Sequence, residues 1–287
     1  LVFAADHGLA EEKISPYPKE VTFQMVQNFL SGGAAINVFC KQHDIQLKII
    51  DAGIDFDFSK ENENMIHAKI AKGSSNILQA PAMSVENCIK AIKKGAEIVK
   101  EEYNRQCNII SFGEMGIGNT AIASLLLHKY TSYSIEDCTG KGAGLNNEEL
   151  LHKIEILKQA SQLHKANTDI EILATYGGYE IAMMCGGMLA AKKNKMIILI
   201  DGFIASVALL AAYKMDNKIL DNCIFCHQSE EKAHRLLLNY LGVEALIDLK
   251  MRLGEGTGAI VAYPLVVSSV LFLNEMASFE TAGVTNK

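Results

Sequence analysis

The groups in this chain best suited to chemistry are two glutamates and a lysine, each set in or beside a glycine-rich segment. In Met251-Arg-Leu-Gly-Glu-Gly-Thr-Gly258, Glu255 is held between glycines just ahead of an apolar helical stretch over 259–273. A carboxylate in so apolar a setting is either paired or has a raised pKa, and a raised pKa suits a general base. Capping of the following helix or pairing with Arg252 are the alternatives for Glu255. In Gly113-Glu-Met-Gly-Ile-Gly-Asn-Thr120, the glycines follow an apolar run and precede a helical segment over 121–129. Glycines let backbone amides approach an anion, and Asn119 and Thr120 stand at the helix start, where free donors and the positive dipole end favour phosphate. An ordinary tight turn between strand and helix is the other reading. The segment is neither the dinucleotide fingerprint nor a P-loop. Glu114 would repel a phosphate there unless it faces another part of the ligand. Thr139-Gly-Lys-Gly-Ala-Gly144 could wrap a ribose or phosphate around Gly142, with Lys153 of the next helix as countercharge, or be a flexible loop before a solvated lysine.

Three other patterns carry less. Asp6-His7-Gly8 places a histidine in a turn after a strand, where support of the loop over 9–17 is the expected role. Cys223-Ile-Phe-Cys226-His227 spells a haem-attachment motif. No secreted composition or axial-ligand context accompanies it, and no second Cys/His pair stands at zinc spacing. It reads as incidental. No GxSxG elbow follows a strand, so serine-hydrolase logic fails.

These residues need elements to position them, and apolar strand-like runs recur at 1–5, 47–50, 108–112, 196–200 and 223–226. Each ends in a glycine, an acidic residue or a polar turn. Helical patterns cover 21–43, 85–105, 147–164, 179–194 and 231–241. Alternation of the two predicts an α/β fold, a Rossmann-like three-layer arrangement with a parallel sheet and ligands outside the carboxyl ends of its strands. Asp6, Asp51, Glu114 and Asp201 sit at those ends. No composition break marks a linker, so one continuous domain over 1–287 is expected, with a smaller helical subdomain drawn partly from the C-terminal helices. The chain opens on Leu1-Val2-Phe3-Ala4-Ala5, a buried-strand composition without an initiator Met, which reads as a fragment lacking its N-terminal helical segment.

With 287 residues, 49% of them hydrophobic, the chain can bury a sizeable core and a pocket. A net charge of -6 argues against nucleic acid as a partner. The longest apolar stretch, over 196–212, is interrupted by Asp201 and Gly202, so no membrane span is expected. Seven scattered cysteines in apolar surroundings favour reduced thiols and a cytoplasmic setting.

Taken in order along the chain, these segments resemble the nicotinate-nucleotide–dimethylbenzimidazole phosphoribosyltransferase family, which makes the lower-ligand nucleotide of cobalamin. The resemblance runs over essentially the whole chain. It is carried by the Asp6-His7-Gly8 turn with Tyr17-Pro18, Phe29-Leu-Ser-Gly-Gly-Ala-Ala-Ile-Asn37, Asp51-Ala-Gly-Ile54, the Gly113–Thr120 loop, Gly177-Gly178, Asp201-Gly-Phe203, His227 with Ser229, and Arg252-Leu-Gly-Glu-Gly-Thr-Gly258. It implies a homodimer and a reaction between nicotinate mononucleotide and an azole base. It implies Glu255 as the general base and Glu114 as a second carboxylate. Gly116 and Lys153 would lie near the phosphate, Gly142 and Ser229 around the nucleotide, and Tyr17, Met115 and Leu253 around the incoming base. Asn119, Thr120 and Asp201 complete the expected substrate contacts. No cofactor or metal is expected, since no pyrophosphate departs. The chain departs from the family in lacking its leading helices with a Pro-Pro-Gly-Ser-Leu-Gly stretch, in carrying Ala121 after the Asn-Thr pair, and in carrying Cys226 before the histidine.

On this reading the pyridinium leaves as neutral nicotinate, Glu114 steadies positive charge developing at C1′, and Glu255 takes the azole proton during attack from the opposite face. The product is an α-linked ribonucleotide. An apolar slot separates bases differing by a methyl group by only about 1–3 kcal/mol, so dimethylbenzimidazole, other benzimidazoles, adenine and phenols are all candidate acceptors. Two other functions compete. A phosphoribosyltransferase using phosphoribosyl pyrophosphate would need Mg²⁺ and an acidic run that is not found. A non-catalytic nucleotide-binding paralogue or partner subunit would bind without turnover.

Overall fold

The computed structural model describes residues 1–58 and 62–285. Six parallel strands form one sheet in the order β3-β2-β1-β4-β5-β6, with β1 Val2–Ala5, β2 Ile49–Gly53, β3 Met65–His67, β4 Ile109–Met115, β5 Ile197–Ile200 and β6 Cys223–Phe225. That order reverses between β1 and β4, which makes their carboxyl ends the crevice of a doubly wound sheet. The register sets Ala4 beside Met115, so the chain leaves β1 at Asp6 and His7 level with the loop that leaves β4.

Most strand residues are apolar because both faces of the sheet are covered. Phe3 and Ala5 of β1 join one large core, while Val2 and Ala4 turn to a second. The large core is built on α3 Val85–Asn104, α4 Asn119–Thr131, α8 Tyr179–Lys193 and α9 Phe203–Met215. Helix α8 is buried nearly all round, which requires an apolar circumference rather than a stripe. It lies backbone to backbone on α3. A Cβ added at Gly186 would stand 1.9 Å from the Ile92 carbonyl oxygen, and one at Gly95 equally close to that of Met183. The second face carries α1 Val21–Leu30, α2 Ala35–Gln42 and the first turns of α11 Thr257–Glu275. The short α5 Ile135–Cys138, then α6 Asn147–Leu163, α7 Asp169–Tyr176 and α10 Lys232–Leu241 complete the chain.

The expected helix over 21–43 is two helices. The break spans Ser31–Ala34, where Gly32 is left-handed (φ 79°) and Gly33 leaves no room for a side chain against the Asn28 amide oxygen. Strand β3 was not foreseen. Helix α11 is long and apolar enough, by length and composition alone, to cross a membrane. Ser268 and Ser269 interrupt it without adding charge. Its first turns are nevertheless packed inside the protein, with Thr257, Gly258, Ala259, Ile260 and Ala262 buried, while Leu271, Phe272 and Leu273 lie exposed.

Candidate active site

A cavity of about 410 Å³ opens at the carboxyl ends of β1, β4 and β5. Glu114, Met115, Gly116, Asn119 and Thr120 line it from the end of β4 and the start of α4, with Gly142 and Lys153 from the next glycine loop and α6. Tyr17, Asp201, Ser229, Leu253 and Glu255 complete the expected set. Every residue singled out from the sequence as catalytic or substrate-binding therefore borders one space. Sequence reasoning missed Ile14, Val21, Met25, His227, Glu231 and Arg252, which line it too.

The two carboxylates are held by interlocking loops. A Cβ on Gly113 would lie 2.3 Å from the Glu255 carbonyl oxygen, and a Cβ on Gly254 would lie 2.7 Å from the Glu114 carboxylate. Glycine at both positions is what allows the loop before α11 to lie on the end of β4. Gly254, Glu255 and Gly256 are all left-handed, at φ 77°, 63° and 85°. A glutamate in that region is strained and persists only where its surroundings over-determine it. Here they do, because Thr257 bonds back to the Gly254 carbonyl through both its amide (3.0 Å) and its hydroxyl (2.7 Å).

Neither alternative for Glu255 holds as stated. Arg252 donates instead to the Gly142 carbonyl, at 2.7 Å. The Glu255 Oε2 accepts from the Ile36 amide at 3.4 Å, at the N-terminus of α2 and not of its own helix. Burial raises its pKa, the Ile36 contact opposes this, and Asp201 adds to the rise. A buried carboxylate with an elevated pKa and a face on the cavity is equipped to accept a proton.

Glu114 is different in kind. Burial first, and then the charges of Asp201, Glu180 and Glu255, push its pKa up to about 8 against the pull of the Asn119 amide. In the empty cavity these surroundings favour the protonated form of Glu114. Its Oε2 accepts from Asn119 Nδ2, so the Asn119 amide is committed to Glu114. An acid with a higher pKa folded than unfolded holds a proton that unfolding releases, so stability falls as pH rises from the usual 4.5 to about 8. Glu114→Gln has no proton to keep. Its stability relative to the wild type should climb between about pH 5 and about pH 8, by on the order of 2–4 kcal/mol. Urea midpoints at the two pH values test this; parallel pH slopes would remove Glu114 as the protonated group.

The basic end is separate. Lys153 is only 1% exposed. Its ammonium donates to Thr120 Oγ1 at 3.1 Å and to the Gly140 carbonyl at 3.3 Å, with no carboxylate in ion-pair range among the described residues. Burial pulls its pKa down to about 8, and Glu231 pulls the other way. A buried cation bonded only to neutral oxygens is suited to receive an anion. Gly118, left-handed at φ 95°, starts α4 beside it, and the positive end of that helix borders the cavity.

The remaining motifs are absorbed by support. Asp201 Oδ1 accepts from the Ala259 amide at 3.0 Å, anchoring the first turn of α11. His227 stands 3.5 Å from the same oxygen and against Gly258, where a Cβ would come within 1.8 Å of its ring. The Cys223 and Cys226 thiols turn to backbone carbonyls. His7 and Glu180 form a fully buried pair at 2.8 Å. Burial is the largest single effect and works to lower the His7 pKa. The Glu180 charge, the hydrogen bond to Glu180 and the Asp6 charge together outweigh it, and the net direction is up. The pair lies under Gly116 and Gly178, fixing the loop after β4 from behind.

Comparison with known proteins matches this geometry along its length. A family model described as phosphoribosyltransferase matches residues 1–284. A nicotinate-nucleotide–dimethylbenzimidazole phosphoribosyltransferase of Dechloromonas aromatica (strain RCB) is 50% identical over 291 residues, covering 100% of this chain and 83% of that protein. One from Phocaeicola vulgatus is 45% identical over 286 residues, covering 99% and 83%. A crystal structure of CobT from Thermus thermophilus superposes with a TM-score of 0.95 at 35% identity, covering 100% of this chain and 86% of that one.

Proposed function

Since the chain belongs to the nicotinate-nucleotide–dimethylbenzimidazole phosphoribosyltransferase family, we propose that it transfers the 5-phosphoribosyl group of nicotinate mononucleotide to 5,6-dimethylbenzimidazole or a related base. The products are α-ribazole 5′-phosphate and nicotinate, in assembly of the cobalamin nucleotide loop. The observation that carries the reading is the division of one cavity into a carboxylate end and a cationic end. The phosphate takes the end with Lys153, Thr120, Gly116, Gly142 and Ser229. The ribose C1′ then falls toward Glu114, and the acceptor lies beside Glu255 among Tyr17, Met115 and Leu253.

Catalysis follows from where charge appears. The nicotinate ring arrives as a pyridinium and leaves neutral, while positive charge grows at C1′. The pyridinium that the nucleotide brings in favours the ionised form of Glu114, which gives its proton to bulk water as the ligand binds. The carboxylate then steadies the positive charge as it passes from the ring to C1′. The acceptor is a poor nucleophile while its N–H remains. Glu255 takes that proton as the other ring nitrogen bonds to C1′ and the C1′–nicotinate bond breaks on the opposite face, which inverts the carbon. No protein group need form a covalent intermediate.

We assign the chain to the cytoplasm, where its cysteines stay free thiols, and take a second copy of the chain as its protein partner. The apolar C-terminal helix belongs, on this reading, to a smaller helical subdomain. The whole proposal is tested by supplying nicotinate mononucleotide with a panel of azoles and phenols and following nicotinate release. Release with an azole and no added Mg²⁺ is the expected result. Nucleotide binding in a calorimeter with no release for any acceptor would instead favour a non-catalytic binder.

A further inference from the structure

Glu231 has no part in the chemistry above, yet it lies in the part of the cavity assigned to the phosphate. It stands at the start of α10, and its amide donates to Ser229 Oγ at 3.3 Å. Its carboxylate reaches into the Thr139–Gly144 loop: a Cβ on Gly140 would come within 2.1 Å of Glu231 Oε2. Lys153, Gly142 and Arg252 line the same cavity. Burial, the largest effect, opposes the ionised form of Glu231, while the two charges and the Gly142 amide favour it. Lys153 in turn has Glu231 as its charged neighbour, although the two are not in ion-pair contact. Gly142 ties the three together, because its carbonyl accepts from Arg252 and a Cβ on it would sit 3.4 Å from Lys153 Nζ.

An anion already sits, then, among the donors that a phosphate would use. We propose that the Glu231 carboxylate is a resident stand-in for the nucleotide phosphate, held among Lys153, Arg252 and the Gly142 amide until an incoming 5′-phosphate displaces it. The inference rests on the mononucleotide reading of the cavity. Its physical basis is ion exchange: a buried lysine without a countercharge is costly, and a single negative charge nearby lowers that cost while no ligand is bound. A phosphate brings about two charges and three acceptor oxygens, so it can take the place of one carboxylate. A nucleoside without the phosphate cannot. Glu231 therefore keeps the phosphate subsite charge-balanced while it is empty, at the cost of weakening the binding of the phosphate that displaces it.

The test is inorganic phosphate as a competitive inhibitor against nicotinate mononucleotide, measured on the wild type, Glu231→Gln and Glu231→Asp. Removing the competing charge should tighten phosphate inhibition about tenfold in Glu231→Gln, equivalent to about 1.4 kcal/mol. KM for the mononucleotide should fall by more than kcat changes, and the preference for the mononucleotide over its dephosphorylated nucleoside, which displaces nothing, should widen. Glu231→Asp keeps the charge on a shorter arm and should tighten inhibition by less. Should the Gln variant melt early, the Asp variant and the wild type still decide the matter. Unchanged or weaker phosphate inhibition in either variant overturns the proposal, since the carboxylate would then be a partner of the site rather than its occupant. Wild-type turnover without phosphate competition overturns the displacement alone. Absence of both turnover and phosphate competition in the wild type removes the mononucleotide reading as well.

Discussion

Glu255→Gln should lose about 10²–10⁴ in kcat while KM for nicotinate mononucleotide stays within a few-fold, the loss expected when a positioned general base is removed. The substitution is close to isosteric, and an amide oxygen can still accept from the Ile36 amide that meets Glu255 Oε2 at 3.4 Å. The loop is held independently by the Thr257 bonds to Gly254 and by the close fit of Gly113 against the Glu255 backbone. A drop in rate would therefore report on chemistry rather than on unfolding, and an unchanged denaturation midpoint would establish that. The pH profile adds a second signature. A carboxylate accepts a proton only when ionised, so the wild-type rate rises with pH through the pKa of Glu255. Burial, reinforced by Asp201, places that rise above the ordinary carboxylate range. The Gln variant should lack this acid limb altogether. Turnover near the wild-type rate, with the limb intact, would end the assignment of Glu255 as the base.

What the sequence disclosed follows from how specific each signal is. Strands β1, β2, β4, β5 and β6 were visible because a sheet covered on both faces needs unbroken apolar runs, as in Val2–Ala5 and Ile197–Ile200. Strand β3 has only three residues with a single buried side chain, Met65, so no such run announces it. Helix α9 is apolar on every side, so it has no polar face from which a helical period could be read. Within the site, the glycine loops were legible since close backbone approach demands glycine, and Gly113 and Gly254 meet that demand against each other's neighbouring glutamates. What stayed hidden depends on contacts between distant segments. His7 and Glu180 are 173 positions apart, and Arg252 reaches Gly142 across 110. The charge state of Glu114 was equally out of reach, because it is set by Asp201, Glu180 and Glu255 converging on one buried oxygen pair.

Lys153→Met should divide binding from stability in a way that a merely structural lysine would not. A hydrogen bond from a charged donor contributes about 1.5–3 kcal/mol, so losing the ammonium should raise KM for the mononucleotide roughly 10–150-fold, with a smaller change in kcat. The fold should gain instead. Burial lowers the Lys153 pKa from 10.5 to about 8, so at neutral pH the folded protein bears a charge that it would more readily release than the unfolded chain does. A methionine of similar length removes that penalty, on the order of 3 kcal/mol at neutral pH. The same shift fixes the pH behaviour of the wild type. Between about 8 and 10.5 the unfolded chain holds the proton that folded Lys153 has lost, so this residue makes stability rise with pH across that window, and the rise should be missing in the variant. Mononucleotide affinity runs the other way. As Lys153 loses its charge above about pH 8, the advantage of the wild type over the Met variant should shrink. Urea midpoints and KM values at about pH 7 and about pH 9 give both quantities for both proteins. A variant that is less stable yet binds the mononucleotide as well as the wild type would mean that Lys153 holds Thr120 and Gly140 in place and does not meet the phosphate.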